Sequence, residues 1–140
     1  MSVSQFTVEQ FRALALEKFS FLEAKGFHRV PGLEETTPTG GTVVYMGKHV
    51  GFIFSLDVRD QCVDAQVVKV SDGQMKRNWE GGYSSGLFTH LVRHTGYRGS
   101  LVGASTTGKA TLEGMVDGWA QLLKQAGESL LSDRPDSLPR

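Results

Sequence analysis

The sequence predicts an α+β fold: one N-terminal helix, an antiparallel meander of three or four strands, and two C-terminal helices packed on one face of the sheet. Residues 50–58 alternate between apolar and mostly small or polar side chains, which is the pattern of a half-buried strand. The apolar positions are Val50, Phe52, Phe54, Leu56 and Val58. Amphipathic helical segments stand before and after this strand, and they can cover its apolar face.

The first helix is predicted to begin at Thr7, because Gln10 follows three residues later and completes a capping box. Apolar residues then gather on one broad face of the segment. Gly26 is predicted to end the helix as a left-handed cap, with Phe27 folding back onto Leu22.

Two further helices are predicted in the C-terminal half of the chain. One runs from Ser84 or Ser85 to Thr95, with Gly96 as its stop signal. The last helix has the clearest pattern in the sequence, because its apolar residues repeat at the spacing of one helical face. These residues are Leu112, Met115, Val116, Trp119, Leu122, Leu123, Ala126 and Leu130.

Turn residues divide the middle of the chain into strands. Residues 42–46 and 62–70 are predicted to flank the central strand, and residues 27–30 to form a short edge strand. The parity of the apolar residues changes at Val68, which indicates either a bulge or burial on both faces. The face away from the helices is expected to be more polar. It is predicted to carry Gly51, Ser55, Asp57, Asp64 and Lys69.

Composition limits the class of protein. Fifteen Lys and Arg residues balance fifteen Asp and Glu residues, so no overall field favours a nucleic-acid partner. No apolar run approaches the ~20 residues that cross a bilayer, and no signal-peptide pattern opens the chain. The single cysteine fits a reducing compartment. We expect a cytoplasmic protein that binds neither nucleic acid nor membrane, with one globular domain over residues 1–131 and a flexible tail over 132–140.

Residues 103–109 match the phosphate-loop pattern G-x-x-x-x-G-K, but the match fails where the chemistry needs it. Ala110 stands where a hydroxyl should bind Mg²⁺, and only two apolar residues precede the loop where a buried strand is required. We therefore predict an ordinary helix start capped by Ser or Thr, and no nucleotide site.

Other candidate chemistry is equally sparse. His90 and His94 are four residues apart on a predicted helix, a spacing that can chelate a metal, but Leu91 replaces the glutamate of the protease motif. Hydrogen-bonded or solvated histidines are the expected interpretation, since two ligands alone make a weak site. Cys62 lies in a predicted strand and is expected to be an inert structural thiol. The sequence favours a non-catalytic protein with no cofactor, no metal site and no catalytic residues.

The candidate partner-binding residues are Arg77, Trp79 and Tyr83. They lie in a glycine-rich loop over residues 71–86, and their residue types are enriched at binding hot spots. A loop of this length is uncommon in a compact domain unless it is functional or mobile. The alternative interpretation is that Trp79 and Tyr83 cover the end of the core.

The arrangement of residues 11–70 resembles that of small bacterial immunity proteins. The resemblance is carried by the helix with Phe-Ser-Phe-Leu-Glu at 19–23, then Gly-Phe at 26–27, Val-Val-Tyr at 43–45 and Leu-Asp-Val-Arg at 56–59. It implies a cytoplasmic protein that neutralises a cognate toxin by binding it, and it transfers no functional residues.

Two alternatives to a partner-binding protein remain open. The first is a small-molecule-binding or enzymatic domain with a pocket between the sheet and the C-terminal helices, near His90, His94 and Tyr97. The second is a structural homo-oligomer that pairs through Gly114 and Gly118 or through an open sheet edge.

Overall fold

The computed structural model describes residues 7–99 and 109–139 of the chain. It has the predicted α+β architecture, with a helix first, a curled antiparallel sheet in the middle and helices at the C-terminal end. The helices are α1 (Val8–Lys18), α2 (Phe21–Ala24), α3 (Leu87–Thr95), α4 (Lys109–Ala126) and α5 (Glu128–Leu131). The strands are β1 (His28–Arg29), β2 (Thr36–Thr37), β3 (Gly40–Met46), β4 (Val50–Asp57), β5 (Cys62–Ser71), β6 (Gln74–Lys76) and β7 (Ser84–Gly86).

The three long strands form the predicted meander, β3-β4-β5, and every pairing in the sheet is antiparallel. The short strands β1 and β2 pair with β3 on one side, and β6 and β7 pair with β5 on the other. The sheet therefore has more strands than predicted. Each additional strand is only two or three residues long, which is too short for a period of two to be read from the sequence.

The N-terminal helix begins as predicted but ends earlier. The Thr7 hydroxyl accepts the Gln10 N–H at 3.2 Å, and the Gln10 side chain accepts the Thr7 N–H at 3.0 Å. The predicted single helix is divided after Lys18, and Gly26 ends α2 with a positive φ of 97°. At the break, the ring of Phe19 stacks on Phe54 with the ring centres 3.8 Å apart.

The main core lies between the sheet and the helices. It joins the apolar face of β4 to side chains of α1, α2, α3 and α4. The indole N–H of Trp119 donates to the Val63 carbonyl at 2.9 Å and so fixes α4 to the edge of β5. The largest fully buried side chains are Tyr45, Phe11, Phe19, Phe27, Phe52, Phe54, Leu22, Leu87, Leu91, Leu112 and Leu123.

The opposite face of the sheet is less polar than predicted. Val44, Ile53 and Val68 form a second buried cluster there, supported by Val30 and Met75. The register of β4 with β5 is continuous from Val50 to Asp57, so the parity change at Val68 reflects burial on both faces and not a bulge.

The predicted place of Lys69 on this opposite face is wrong. Lys69 is the cross-strand partner of Val50, and cross-strand partners share a face. It therefore lies on the helix side of the sheet.

The segment for which the sequence predicts a flexible tail has specific contacts in the structure. The carboxylate of Asp133 accepts backbone N–H groups of Lys48 at 2.6 Å, His49 at 2.7 Å and Val50 at 3.0 Å. Leu138 belongs to the main core. The Asp133 backbone is left-handed, with a φ of 52°. This segment thus caps the turn between β3 and β4.

Replacing Asp133 with alanine is expected to lower the free energy of unfolding by roughly 2–3 kcal/mol, because three backbone N–H groups lose a charged acceptor. Asp133→Asn should cost less, since asparagine keeps one oxygen acceptor and tolerates the left-handed backbone. Urea denaturation at pH 7 measures both variants. Equal midpoints for wild type and Asp133→Ala would contradict the capping role.

Candidate protein-binding surface

A groove runs across the face of the sheet that the helices leave uncovered. Its floor is the cross-strand pair Val44 and Ile53, and its two walls carry Leu33 and Trp79, with Arg77 beside Trp79. The volume of the groove is about 470 Å³. The lining is completed by Glu35, Thr42, Ser55 and Gln66. We call this feature the sheet-face groove.

The Leu33 wall is held by a buried carboxylate. Glu34, the next residue, accepts two hydrogen bonds from the Arg29 guanidinium, at 2.9 and 2.7 Å, and the Val44 N–H at 3.1 Å. The Glu34 side chain is only 4% exposed. The Arg12 guanidinium is 3.9 Å from the same carboxylate and donates to the Glu35 carbonyl at 2.9 Å. These contacts fix the loop that presents Leu33 against both β3 and α1.

Burial is the largest single influence on the pKa of Glu34, and it acts to raise that pKa. The hydrogen bonds from Arg29 and Val44, and the charges of Arg29 and Arg12, act together in the opposite direction and outweigh burial. The net pKa lies below the ordinary value of 4.5. The ionised carboxylate therefore stabilises the folded protein at neutral pH.

Glu34→Gln is expected to lower the free energy of unfolding by roughly 2–3 kcal/mol at pH 7, because the amide removes a charge that Arg29 and Val44 bind. The folded-state pKa is depressed, so the contribution of the carboxylate is complete above 4.5 and is lost as pH falls through the folded-state value.

The difference in urea midpoint between wild type and Glu34→Gln should therefore shrink between pH 7 and pH 3. Glu35→Gln is the matched control, since the Glu35 side chain is exposed. A midpoint difference that is the same at both pH values would contradict the assignment.

The second wall is a closed turn within the loop predicted over residues 71–86. That loop contains β6, a 3₁₀ turn over Asn78–Glu80 and β7. The Glu80 carboxylate accepts the Arg77 N–H at 3.1 Å, and the Gly82 N–H donates to the Arg77 carbonyl at 3.1 Å. Gly81 takes a φ of 78°, which favours glycine. The turn is thus built by local hydrogen bonds that do not need Trp79 to be buried.

Two of the three predicted partner-binding residues lie together in the groove. The Arg77 guanidinium lies over the Trp79 ring, 5.7 Å from its centre. Trp79 is 77% exposed and does not cover the core. A tryptophan this exposed gains little from folding, which leaves its apolar area available for binding.

Tyr83 lies elsewhere. It is half-buried and packs against the main core, and its hydroxyl is 2.8 Å from Nδ1 of His90. His90 is buried, and burial first, then the nearby His94, lowers the pKa of His90 to about 4. The position of Tyr83 therefore agrees with the alternative interpretation, in which this residue covers the core.

Leu33, Val44 and Ile53 were not among the residues predicted for a site. Ile53 gave a weak signal, because it is the one large apolar residue on the otherwise small or polar parity of β4. Leu33 gave none, since a single leucine in a loop is common. The groove exists because the sheet brings the loop between β1 and β2 opposite the turn after β6.

The remaining candidates of the sequence do not form a catalytic centre in the described structure. Burial first, and then Asp64, Asp57 and Asp60, raises the pKa of the Cys62 thiol, which keeps it protonated. Within residues 7–99 and 109–139, no group of three or more His, Cys, Asp or Glu side chains could hold a metal ion. The phosphate-loop match lies outside the described residues apart from its last position, Lys109. None of the described helices has the length and apolar character needed to cross a bilayer.

The predicted pocket between the sheet and the C-terminal helices falls in a packed region. Leu87, His90 and Leu91 of α3 are each at most 1% exposed. A cavity of about 390 Å³ beside Tyr97 lies at the ends of α3, α4 and α5, away from the sheet.

No protein-family model, no curated protein and no solved structure matches this chain. The groove and its chemistry are therefore the basis for a functional proposal.

Proposed function

We propose that this chain is a non-catalytic protein-binding protein that captures its partner in the sheet-face groove. The observation that carries the proposal is the placement of two large exposed apolar side chains, Leu33 and Trp79, in one groove, over a floor that combines the buried pair Val44 and Ile53 with polar side chains. Their exposed fractions are 48% and 77%. Exposed apolar area that is gathered in one concave surface is typical of an interaction site.

The energetics favour a protein segment as the occupant. Burying an exposed tryptophan removes on the order of 150 Å² of surface from water, which at about 25 cal/mol per Å² gives roughly 4 kcal/mol before binding costs. Trp and Arg are also the residue types that most often dominate protein interfaces. Trp79 is therefore expected to be the anchor of the interface.

The groove carries one acidic and one basic side chain, Glu35 and Arg77, and the Arg77 side of the groove selects the chemistry of the partner segment that meets it. Within the described part of the chain, no carboxylate forms a salt bridge with the Arg77 guanidinium, although that group is fixed over the Trp79 ring. A partner segment with an apolar side chain next to an Asp or Glu would fill the space between Leu33 and Trp79 and supply the missing carboxylate. Such a pair contributes specificity and association rate.

The resemblance to small immunity proteins implies one specific class of partner. That partner is a bacterial toxin, which the chain neutralises by binding. A protein of this class needs no catalytic group of its own. It needs a rigid, preformed surface, and the hydrogen bonds around Glu34 and within the 77–82 turn supply one.

The proposal is tested by comparative capture from the native bacterium under toxin-producing conditions. Tagged wild type, Trp79→Ala, Leu33→Ser and the control Val92→Ala are used as baits. Val92 is 42% exposed and lies on α3, outside the groove. A specific partner should bind wild type and Val92→Ala, and its recovery should fall at least about tenfold with either groove variant, which is typical of a hot spot.

The captured protein is then expressed alone and together with each variant. Toxicity that is relieved by wild type and Val92→Ala, but not by Trp79→Ala, is the expected result. A partner that binds all four baits equally would place the interface elsewhere and overturn the groove. A captured partner that is harmless when expressed alone would keep the binding role and exclude toxin neutralisation.

A further inference from the structure

The sheet-face groove carries opposite charges on its two sides. Glu35 lies on the Leu33 side, two residues further along the same loop, and Arg77 lies on the Trp79 side. Both charged residues also line a second cavity of about 420 Å³, which extends the groove toward Met75. In the described part of the chain, neither side chain takes part in a salt bridge. The groove therefore offers one acidic and one basic group to whatever binds there.

The chain itself carries a segment of the kind that fits the Arg77 side of the groove. Leu33 is an apolar side chain that is 48% exposed, and Glu35 is an exposed acidic residue on the same loop. The Arg77 guanidinium, which lies over the Trp79 ring, attracts a segment in which an apolar side chain stands close to an acidic one. Residues 33–35 of a second copy would supply both groups.

A two-fold axis through the groove makes such a contact reciprocal. In a symmetric dimer the same patch faces itself, so each contact between two residues occurs twice, once in each direction. A two-fold rotation that places Arg77 of one copy opposite Glu35 of the other also places Glu35 of the first opposite Arg77 of the second. In the same way, Trp79 of each copy meets the Leu33 side of the other. Both charges of each groove thus gain a partner of opposite sign.

The outer edge of β3 is occupied, so a second copy meets the face of the sheet and not this edge. The Thr42 N–H donates to the Glu35 carbonyl at 3.0 Å, and the Val30 N–H donates to the Val44 carbonyl at 2.9 Å. The Val44 N–H donates to the Glu34 carboxylate at 3.1 Å. The strands β1 and β2 pair with the two ends of β3. In the described structure, these contacts leave β3 no free edge to which another chain could add a strand.

We propose that two copies of this chain pair through their sheet-face grooves and form a symmetric homodimer. Each Trp79 buries on the order of 150 Å² in this contact, so the interface is small, and small interfaces are typical of weak or transient complexes. The dimer is therefore expected to dissociate on dilution. A second copy and a partner protein cannot occupy one groove together, so the dimer would compete with capture of the partner. This competition rests on the proposed function, whereas the dimer itself does not.

Sedimentation velocity of the 140-residue chain, at concentrations from about 1 μM to 1 mM, measures self-association. Wild type should change from monomer to dimer as its concentration rises. Trp79→Ala should weaken the association at least about tenfold, because it removes the most exposed large apolar side chain of the groove. Val92→Ala is the matched control and should associate as wild type does, since Val92 is 42% exposed and lies on α3, outside the groove.

Charge reversal tests which residues face each other in the dimer. Glu35→Arg and Arg77→Glu should each weaken self-association at least about tenfold, because like charges then meet twice across the interface. An equimolar mixture of the two variants should form a heterodimer, since both contacts then join opposite charges. Attraction between Glu35 and Arg77 within one chain does not explain such a rescue. Circular dichroism checks that each variant is folded, and if one reversal does not fold, the comparison of Trp79→Ala with wild type decides the proposal.

Three outcomes would overturn the homodimer. A wild-type chain that stays monomeric at the highest concentration leaves the groove to a different protein. A dimer that is unchanged by Trp79→Ala and by both charge reversals has its interface elsewhere. A mixture of the reversed variants that stays monomeric excludes the two-fold pairing of Arg77 with Glu35. In each case wild type is still expected to capture a partner, so failure of the homodimer is distinguished from failure of the proposed function.

Discussion

The structure depends on a sheet that must be covered on two faces while the helices cover only one. On the helix side, β4 contributes Phe52 and Phe54 to a continuous core. On the other side, Val44, Ile53 and Val68 are also buried, but only short segments lie near them. Loops and turns protect the edges of this second cluster and leave its centre as the floor of a groove. The sheet-face groove is thus what remains when an apolar sheet face is incompletely covered.

The loops beside the groove are held by hydrogen bonds. Loops at binding sites usually lose conformational entropy when a partner orders them, which reduces affinity. Here the loop before β3 is fixed by the Glu34 carboxylate, and the turn after β6 is fixed by its own backbone hydrogen bonds. Leu33 and Trp79 are therefore held in place by the fold itself. The charged network around Glu34 gives this region of the sheet its shape as well as stability.

The sequence predicted what repeating patterns can encode. The alternation in β4, the capping box at Thr7 and the apolar stripe of α4 led to the correct class of fold and to the three long strands. It indicated β1, which lies within the edge strand predicted over residues 27–30, but it did not reveal β2, β6 and β7, whose pairing is decided by position in the folded sheet. The pair at the centre of the second apolar cluster was also missed. Val44 and Ile53 lie on different strands, and only the register of β3 with β4 places them side by side.

The site could be predicted only in part for the same reason. Arg77 and Trp79 carried a compositional signal, and the structure places both in the groove. Tyr83 carried the same signal but packs against the main core on the helix side of the sheet, where the chain leaves the 77–82 turn and β7 continues along the edge of β5 that β6 also occupies. Residue type indicates what a side chain can bind, whereas the path of the backbone decides which face it lies on.

The capped turn between β3 and β4 has a consequence for the order of folding during synthesis. The N–H groups of Lys48, His49 and Val50 are bound by a carboxylate 83 to 85 residues further along the chain. The hairpin itself is local and can form early. The N–H groups of its turn, however, remain hydrogen-bonded to water until residue 133 has left the ribosome. Contacts of such long sequence separation form late and slow the final step of folding. The meander is therefore expected to assemble first, and the turn to become fixed only when the C-terminal segment docks.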